Sequence, residues 1–324
     1  MFDLALANLL SPVVLSFVLG LGAALARSDL SVPEAVAKAM SLYLLFAIGF
    51  KGGVSVADHG VDGTLGLALL GGVVLSAALP LVAFGILRAV SGLDRTAAAA
   101  VAAHYGSISI VTFVAGTAIL DSRGIVFEGY MVAVAAAMEA PAILTALWLV
   151  ARKSEATQSQ GRGELLHEVL LNGSIVLLIG AFAIGWITGP AGLAQIDSFI
   201  VAPFTGVLCL FLLDMGLVAG RGMRQGRGVL DKGALAFGLV MPLIGATAGL
   251  GVGLLLGMSA GGIALFMVLA ASASYIAVPA AMRVALPQVN PAIYLTLSLA
   301  VTFPFNLTIG LPLYVTLAEA LTGG

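Results

Sequence analysis

Two polar clusters interrupt otherwise apolar runs of this chain, AAHYGSISIVTF at 102–113 and LAASASYIAVPAAM at 269–282. Serine beside histidine first suggests nucleophilic chemistry, since His104 lies three residues before Ser107 and would share a helix face with it. No carboxylate stands at an orienting spacing, and neither GxSxG nor HExxH occurs, so the chain is not read as an enzyme. What the clusters do offer is helix ends. Gly106 tolerates a left-handed cap conformation and Ser107 or Ser109 can N-cap a following half-helix, while Ser272 and Ser274, with Pro279, supply an equivalent break. Two half-helix N-termini facing each other, each worth roughly +0.5 charge, would hold a small anion between them. The competing reading is that each serine bonds back to a carbonyl one turn earlier and only bends its helix.

Further polar residues stand inside apolar stretches. Glu139, in VAAAMEAPAIL, would cost about 2.5–3.5 kcal/mol at a helix centre, so it marks an ion path or relay unless a hydrogen bond makes it structural. The hydroxyls of Ser107, Ser109, Thr112 and Ser274, the Asn306 amide and the Glu139 carboxylate form an oxygen set suited to a small hard cation such as sodium. Asp214, in LCLFLLDMGL, stands seven residues before Arg221 and either joins that path or faces the cytoplasmic rim. His104 is read as a hydrogen-bonded or site-lining residue, and Tyr105 and Tyr275 as packing residues with satisfied hydroxyls. Lys51 is read as interfacial, with an attraction for entering anions as the alternative. The one cysteine, Cys209, excludes a disulfide framework or a cysteine metal cluster. No organic cofactor is expected.

The elements that must position these residues follow from composition. Hydrophobic residues make up 60% of 324 and charged residues 9%, with a mean hydropathy of +1.13, more apolar surface than a soluble core absorbs. At about 20 residues per transmembrane helix the chain threads a bilayer roughly ten times. Apolar runs between polar breaks place spans at 5–26, 36–52, 64–87, 96–120, 127–150, 168–188, 198–220, 233–257, 261–284 and 293–317. From Arg95 to Ser107 is about 18 Å of helix rise, and from Ser107 to Asp121 about 21 Å, so the serines fall near the bilayer centre. With the N-terminus outside, cytoplasmic connectors hold 12 of the 14 basic residues, leaving Lys51 and Arg123 on the other face. Both termini are therefore expected outside the cytoplasm, in a multi-pass inner-membrane protein. The first segment has Asp3 and no basic residue before Arg27, and is read as a retained helix. The formal charge of −2 argues against nucleic acid as a partner.

Sliding the chain against itself by 167 residues aligns Gly49 and Gly53 with Gly216 and Gly220, Gly106-Ser107 with Ala273-Ser274, and Glu139 with Asn306. Two copies of five spans, an odd number, have opposite topology. The expected fold is an all-α polytopic membrane protein of ten helices in two inverted five-helix repeats, with interrupted helices crossing at mid-membrane. The repeats are 1–151 and 168–324, joined by a hydrophilic cytoplasmic linker at 152–167.

The segments FAIGFKGGVSV (46–56), AAHYGSISIVTFVAGTAIL (102–120), MEAPAILTAL (138–147), LLDMGLVAGR (212–221) and ASASYIAVPAAMR (271–283) together resemble the sodium-dependent bicarbonate transporters of the cyanobacterial type. The likeness spans both halves. It implies a homotrimer with a core and a gate domain per subunit, bicarbonate at the helix crossing and sodium as coupling ion beside it. Carried onto this chain, the implied anion site is Gly106, Ser107 and Ser109 with Ser272, Ala273 and Ser274 and their amides. It also implies a cytoplasmic PII-like regulatory partner, although the central linker here is short. The alternatives are a carrier of the same architecture for another small anion, coupled to sodium or, through Glu139, to protons. A channel would want a continuous polar lining in place of one central cluster.

Overall fold

A computed structural model describes residues 10–323 except 60–62, 152–172, 226–229, 276–277, 280–281, 283–285 and 287. The central linker read at 152–167, His167, and the basic residues Arg152, Lys153, Arg162, Arg227 and Arg283 lie outside the described residues. Among the described residues the chain is helical with no strand. The elements are α1 (Pro12–Leu25), α2 (Glu34–His59), α3 (Gly63–Val90), α4 (Arg95–His104), α5 (Ile110–Ser122), α6 (Met131–Ala137), α7 (Glu139–Ala151), α8 (Gly173–Ile200), α9 (Phe204–Gln225), α10 (Lys232–Leu255), α11 (Ala260–Ala271) and α12 (Pro291–Thr322). Seven helices among the described residues, α6 and α7 counted together, are long and apolar enough to cross a membrane, and α1, α5 and α11 are shorter apolar helices. Large apolar side chains remain on the outer surface, Ile187 at 82% and Leu255 at 87% exposure, as a lipid-facing belt requires. The protein is a multi-pass membrane protein.

Capping residues start the helices where the sequence changes character. Ser11 accepts from the Val14 amide ahead of Pro12, Asp94 from Ala97, Asp231 from Ala234 and Ser259 from Gly262, each satisfying a first-turn donor. α12 departs from α-helical geometry twice, with π-helical segments at Thr296–Thr302 and Asn306–Gly310. Such segments widen the turn and re-aim the side chains that follow.

The helices pack in two groups. In the first, α1 runs along α9 and α2 along α8. Both pairs touch backbone to backbone at glycines: a Cβ at Gly20 would strike the Leu213 carbonyl, and one at Gly216 the Phe17 carbonyl. Gly53 sits likewise against Phe182 and Gly185 against Phe50. Small residues at these points let apolar helices approach closely where lipid offers no hydrophobic drive between them. In the second group α3 packs on α4, α7 and α10; α10 packs on α11; and α11 packs on α5 and on the last stretch of α12.

Two boundaries differ most from the sequence reading. The second span, expected at 36–52, continues to His59 as α2, so Lys51 sits within a helix and pairs with Asp121 of α5 at 3.1 Å. The lysine stem lies along the helix while its ammonium finds a partner, which makes the position cheap enough to prolong the helix. The sixth span, expected to end at 188, runs to Ile200 as α8, kinked at Gly189 with φ of 58°. Only glycine enters that region freely, and Pro190 then restarts the helix with its preset φ.

Candidate functional site

The first arm is made by the end of α4 and the start of α5. α4 stops at His104; Tyr105 caps it, and the Ser107 amide still reaches back to the Ala103 carbonyl at 3.3 Å. Gly106 then passes so close to α3 that a Cβ would collide with the Pro80 ring and the Ser76 carbonyl, so a residue without a side chain is required. Ser109 N-caps α5, accepting from the Thr112 amide at 3.2 Å and from the Thr112 hydroxyl at 3.0 Å. The first-turn amides of Ile110 and Val111 have no intrahelical acceptor.

The second arm begins where α11 stops at Ala271. The Ser272 hydroxyl donates to the Leu269 carbonyl at 2.9 Å, and the Ser274 hydroxyl accepts from the Val278 amide at 3.4 Å. Ala273 lies buried between them.

The two arms meet directly. The Ser274 amide donates to the His104 carbonyl at 2.8 Å, and His104 Nδ1 bonds the Ser274 carbonyl. The Ser109 amide donates to the Ser272 hydroxyl at 2.8 Å. Each helix break thus satisfies backbone groups freed by the other, as an interruption buried among apolar helices demands. Six of the residues singled out for anion binding, Gly106, Ser107, Ser109, Ser272, Ala273 and Ser274, belong to this one crossing, and all are buried.

The candidate cation ligands divide. Ser107, Ser109, Thr112 and Ser274 are at the crossing. Asn306 adjoins it, but both ends of its amide are engaged, Nδ2 donating to the Ala271 carbonyl at 2.9 Å and Oδ1 accepting from the Tyr314 hydroxyl at 3.0 Å. Glu139 opens α7, buried, with Oε2 unbonded among the described residues. Asp214, also buried, lies on α9 in the glycine-paired group, and its neighbour Met215 borders a cavity that reaches Tyr275. Among the described residues no three His, Cys, Asp or Glu side chains converge, so any cation here would meet hydroxyl, carbonyl and single carboxylate oxygens.

Two further residues fix the site and escaped the sequence reading. Ser76, fully buried on α3, donates from its hydroxyl to the Met138 carbonyl at 2.6 Å and accepts from the Ala142 amide at 3.2 Å, bridging the junction of α6 and α7 beside Glu139. Its own carbonyl, freed because Pro80 has no N–H, is the group that Gly106 approaches. Serine four residues before an intrahelical proline was the available signal. Thr302, in the first π-helical segment, donates to the Gly238 carbonyl at 2.6 Å, so the Tyr105 hydroxyl must be the donor in its 2.7 Å bond to Thr302. Tyr105 therefore has the satisfied hydroxyl expected of it. Tyr275 does not: its buried hydroxyl is turned toward Ser109 without a hydrogen bond of full geometry.

Three other polar atoms are buried and unbonded among the described residues in this region: Ser107 Oγ, His104 Nε2 and Glu139 Oε2. A cavity of about 480 Å³ bordered by Met215, Arg221, Asn290, Thr296 and Leu299 reaches the crossing at Tyr275. A second, of about 360 Å³, is lined by Lys51, Ser55, Thr117, Asp121 and Phe204. Closely met helix breaks, unspent hydroxyls and a cavity that reaches them suit the capture and release of a small ion.

No curated protein matches the chain. A family profile does, over residues 12–319, nearly the whole length, and the chain belongs to the Na+-dependent bicarbonate transporter superfamily.

Proposed function

We propose that the protein is a sodium-coupled secondary carrier that imports bicarbonate across the bacterial inner membrane, with the anion held at the crossing of 104–109 and 272–274. The observation that carries this reading is the crossing itself. The amides that open α5, with the hydroxyls of Ser107 and Ser109, present donors where no fixed anion bonds them, and a helix N-terminus adds its own positive field. The hydroxyls of Ser107, Ser109 and Thr112 and the Glu139 carboxylate are the proposed sodium environment, Ser107 and Glu139 with oxygens already open; the Ser274 hydroxyl already accepts from the Val278 amide, and Asn306 Oδ1, which accepts from Tyr314, keeps one lone pair.

Two inverted five-helix repeats are the proposed architecture. Under the 167-residue offset the first helix corresponds to the sixth and the second to the seventh, so a pairing of first with seventh should be mirrored by one of sixth with second. The packing of α1 on α9 and α8 on α2, each at a glycine contact, supports that relation. These four helices would form the gate and the rest the core, in a homotrimer with both termini outside. On this topology the Arg221 cavity opens to the cytoplasm and the Lys51 cavity to the outside. The Lys51–Asp121 pair, from a gate helix to a core helix, would close the outer route. Anion import against an inside-negative potential is opposed by about 2.3 kcal/mol per charge per 100 mV, and one accompanying sodium removes that opposition.

The test is uptake of labelled bicarbonate into proteoliposomes under an inward sodium gradient. Uptake should fall to background when choline replaces sodium, and by about tenfold or more in Ser107→Ala. Uptake that persists in choline and follows a proton gradient would favour a second reading, proton coupling through the buried Glu139 carboxylate with its open Oε2. Uptake indifferent to both gradients would contradict coupling altogether.

A further inference from the structure

His104 is fully buried at the crossing, and the two nitrogens of its ring have different fates. Nδ1 faces the Ser274 carbonyl, which can only accept, so Nδ1 carries a hydrogen. No carboxylate lies within ion-pair distance of the ring among the described residues, and a cation buried without a partner is costly, which leaves a neutral imidazole. Its other nitrogen, Nε2, is then a bare lone pair, buried and without a donor among the described residues. The ring plane is fixed by stacking on Tyr294, centroids 4.6 Å apart at 22°. An acceptor with no donor, held rigidly where the two helix breaks meet, is a poor neighbour for the bare oxygen of an anion. It is a good neighbour for an anion that brings one O–H.

Resting on the bicarbonate reading above, we infer that His104 is the specificity residue of the site: its Nε2 accepts the hydrogen bond of the substrate's single hydroxyl, while Ser107 and the α5 amides take the charged oxygens. The ligand class is a singly protonated oxyanion. Trigonal oxyanions of similar size without a proton, nitrate above all, place a lone pair against a lone pair and are rejected. The Nδ1 bond to Ser274 gives this device its orientation, because it assigns the hydrogen to the nitrogen already committed to the protein and leaves the lone pair on the other.

The experiment is competition in proteoliposomes: labelled bicarbonate uptake under a sodium gradient, titrated with nitrate, in wild type, His104→Asn and His104→Gln. Asparagine places its amide where Nδ1 stands, keeping the Ser274 bond and losing the acceptor; glutamine reaches the Nε2 position and can present an oxygen there. The preference for bicarbonate over nitrate should fall about tenfold in His104→Asn, the size of one hydrogen bond to a charged partner, and be largely kept in His104→Gln. An unchanged preference in His104→Asn overturns the inference while leaving bicarbonate transport intact. Wild type that takes up no bicarbonate overturns the underlying function instead. A measurement on the unaltered site covers the case in which both variants misfold. With His59 and His167 replaced, the Nε2 resonance of ¹⁵N-labelled His104 should move on adding bicarbonate with sodium and stay fixed on adding nitrate; movement with both, or with neither, contradicts the assignment.

Discussion

Glu139 and Asn306 stand 167 residues apart, the offset that aligns the two proposed repeats, yet the protein treats them differently. Asn306 spends both ends of its amide on internal bonds, to Ala271 and Tyr314, whereas Glu139 keeps Oε2 unbonded. The same contrast separates the arms. In the second, Ser272 and Ser274 are bonded to Leu269, Ser109, His104 and Val278; in the first, Ser107 Oγ and His104 Nε2 are left open. The two arms thus divide the labour: the second-arm serines hold the crossing in shape, and the first arm, joined by the Tyr275 hydroxyl, presents unspent polar atoms to a ligand. Leaving buried groups unsatisfied costs about 1–3 kcal/mol each, which a bound ion would recover.

Substitutions can break that division, beginning with the largest effect. Gly106→Ala drives a methyl group into the Pro80 ring and the Ser76 carbonyl and should abolish uptake, with a loss of about 1–3 kcal/mol or more seen as a lowered Tm in detergent. Next, Asn306→Ala and Glu139→Gln should separate stability from function. The alanine leaves the Ala271 carbonyl bare and lowers the Tm by the equivalent of about 1–3 kcal/mol, while the glutamine keeps volume and Tm but cuts sodium-driven uptake about tenfold. If both variants behaved alike, the two positions would have one role and the contrast would be lost. Ser76→Ala should cost about 1–2 kcal/mol by freeing the Met138 carbonyl and the Ala142 amide, and should raise the sodium concentration needed for half-maximal uptake by disturbing Glu139.

The smallest effect belongs to the cytoplasmic loops as oriented here. Asp231 is held below the usual carboxylate range by hydrogen bonds from the Gly92 and Ala234 amides. A depressed carboxylate adds stability above its unfolded pKa and loses it as pH falls through the folded value. Wild type should therefore lose a small increment of Tm on acidification below about pH 4 that Asp231→Asn does not show.

The break at Gly106–Ser109 was legible because glycine followed by serines at the middle of an apolar run is the pattern of one helix ending and another being capped, and the capping role of Ser109 follows from its hydroxyl. The stop of α11 before Ser272 was legible on the same grounds. What stayed hidden depends on contacts between distant residues. Nothing in the residues near Ser76 names Met138 as its acceptor, and the Tyr105–Thr302 pair joins positions 197 apart through a π-helical widening that hydrophobic periodicity does not register. The extension of α2 past Lys51 was hidden because a charged residue reads as a helix boundary until its partner, Asp121, is in view.

The most direct measurement compares Ser107→Ala with Ser274→Ala in sodium-driven bicarbonate uptake. Ser107 offers an unbonded hydroxyl, whereas Ser274 acts at the crossing through its backbone, which alanine keeps. A fall of about tenfold or more in the first and less than threefold in the second is the expected result. Equal losses, or the reverse order, would contradict the assignment of ligand binding to the first arm.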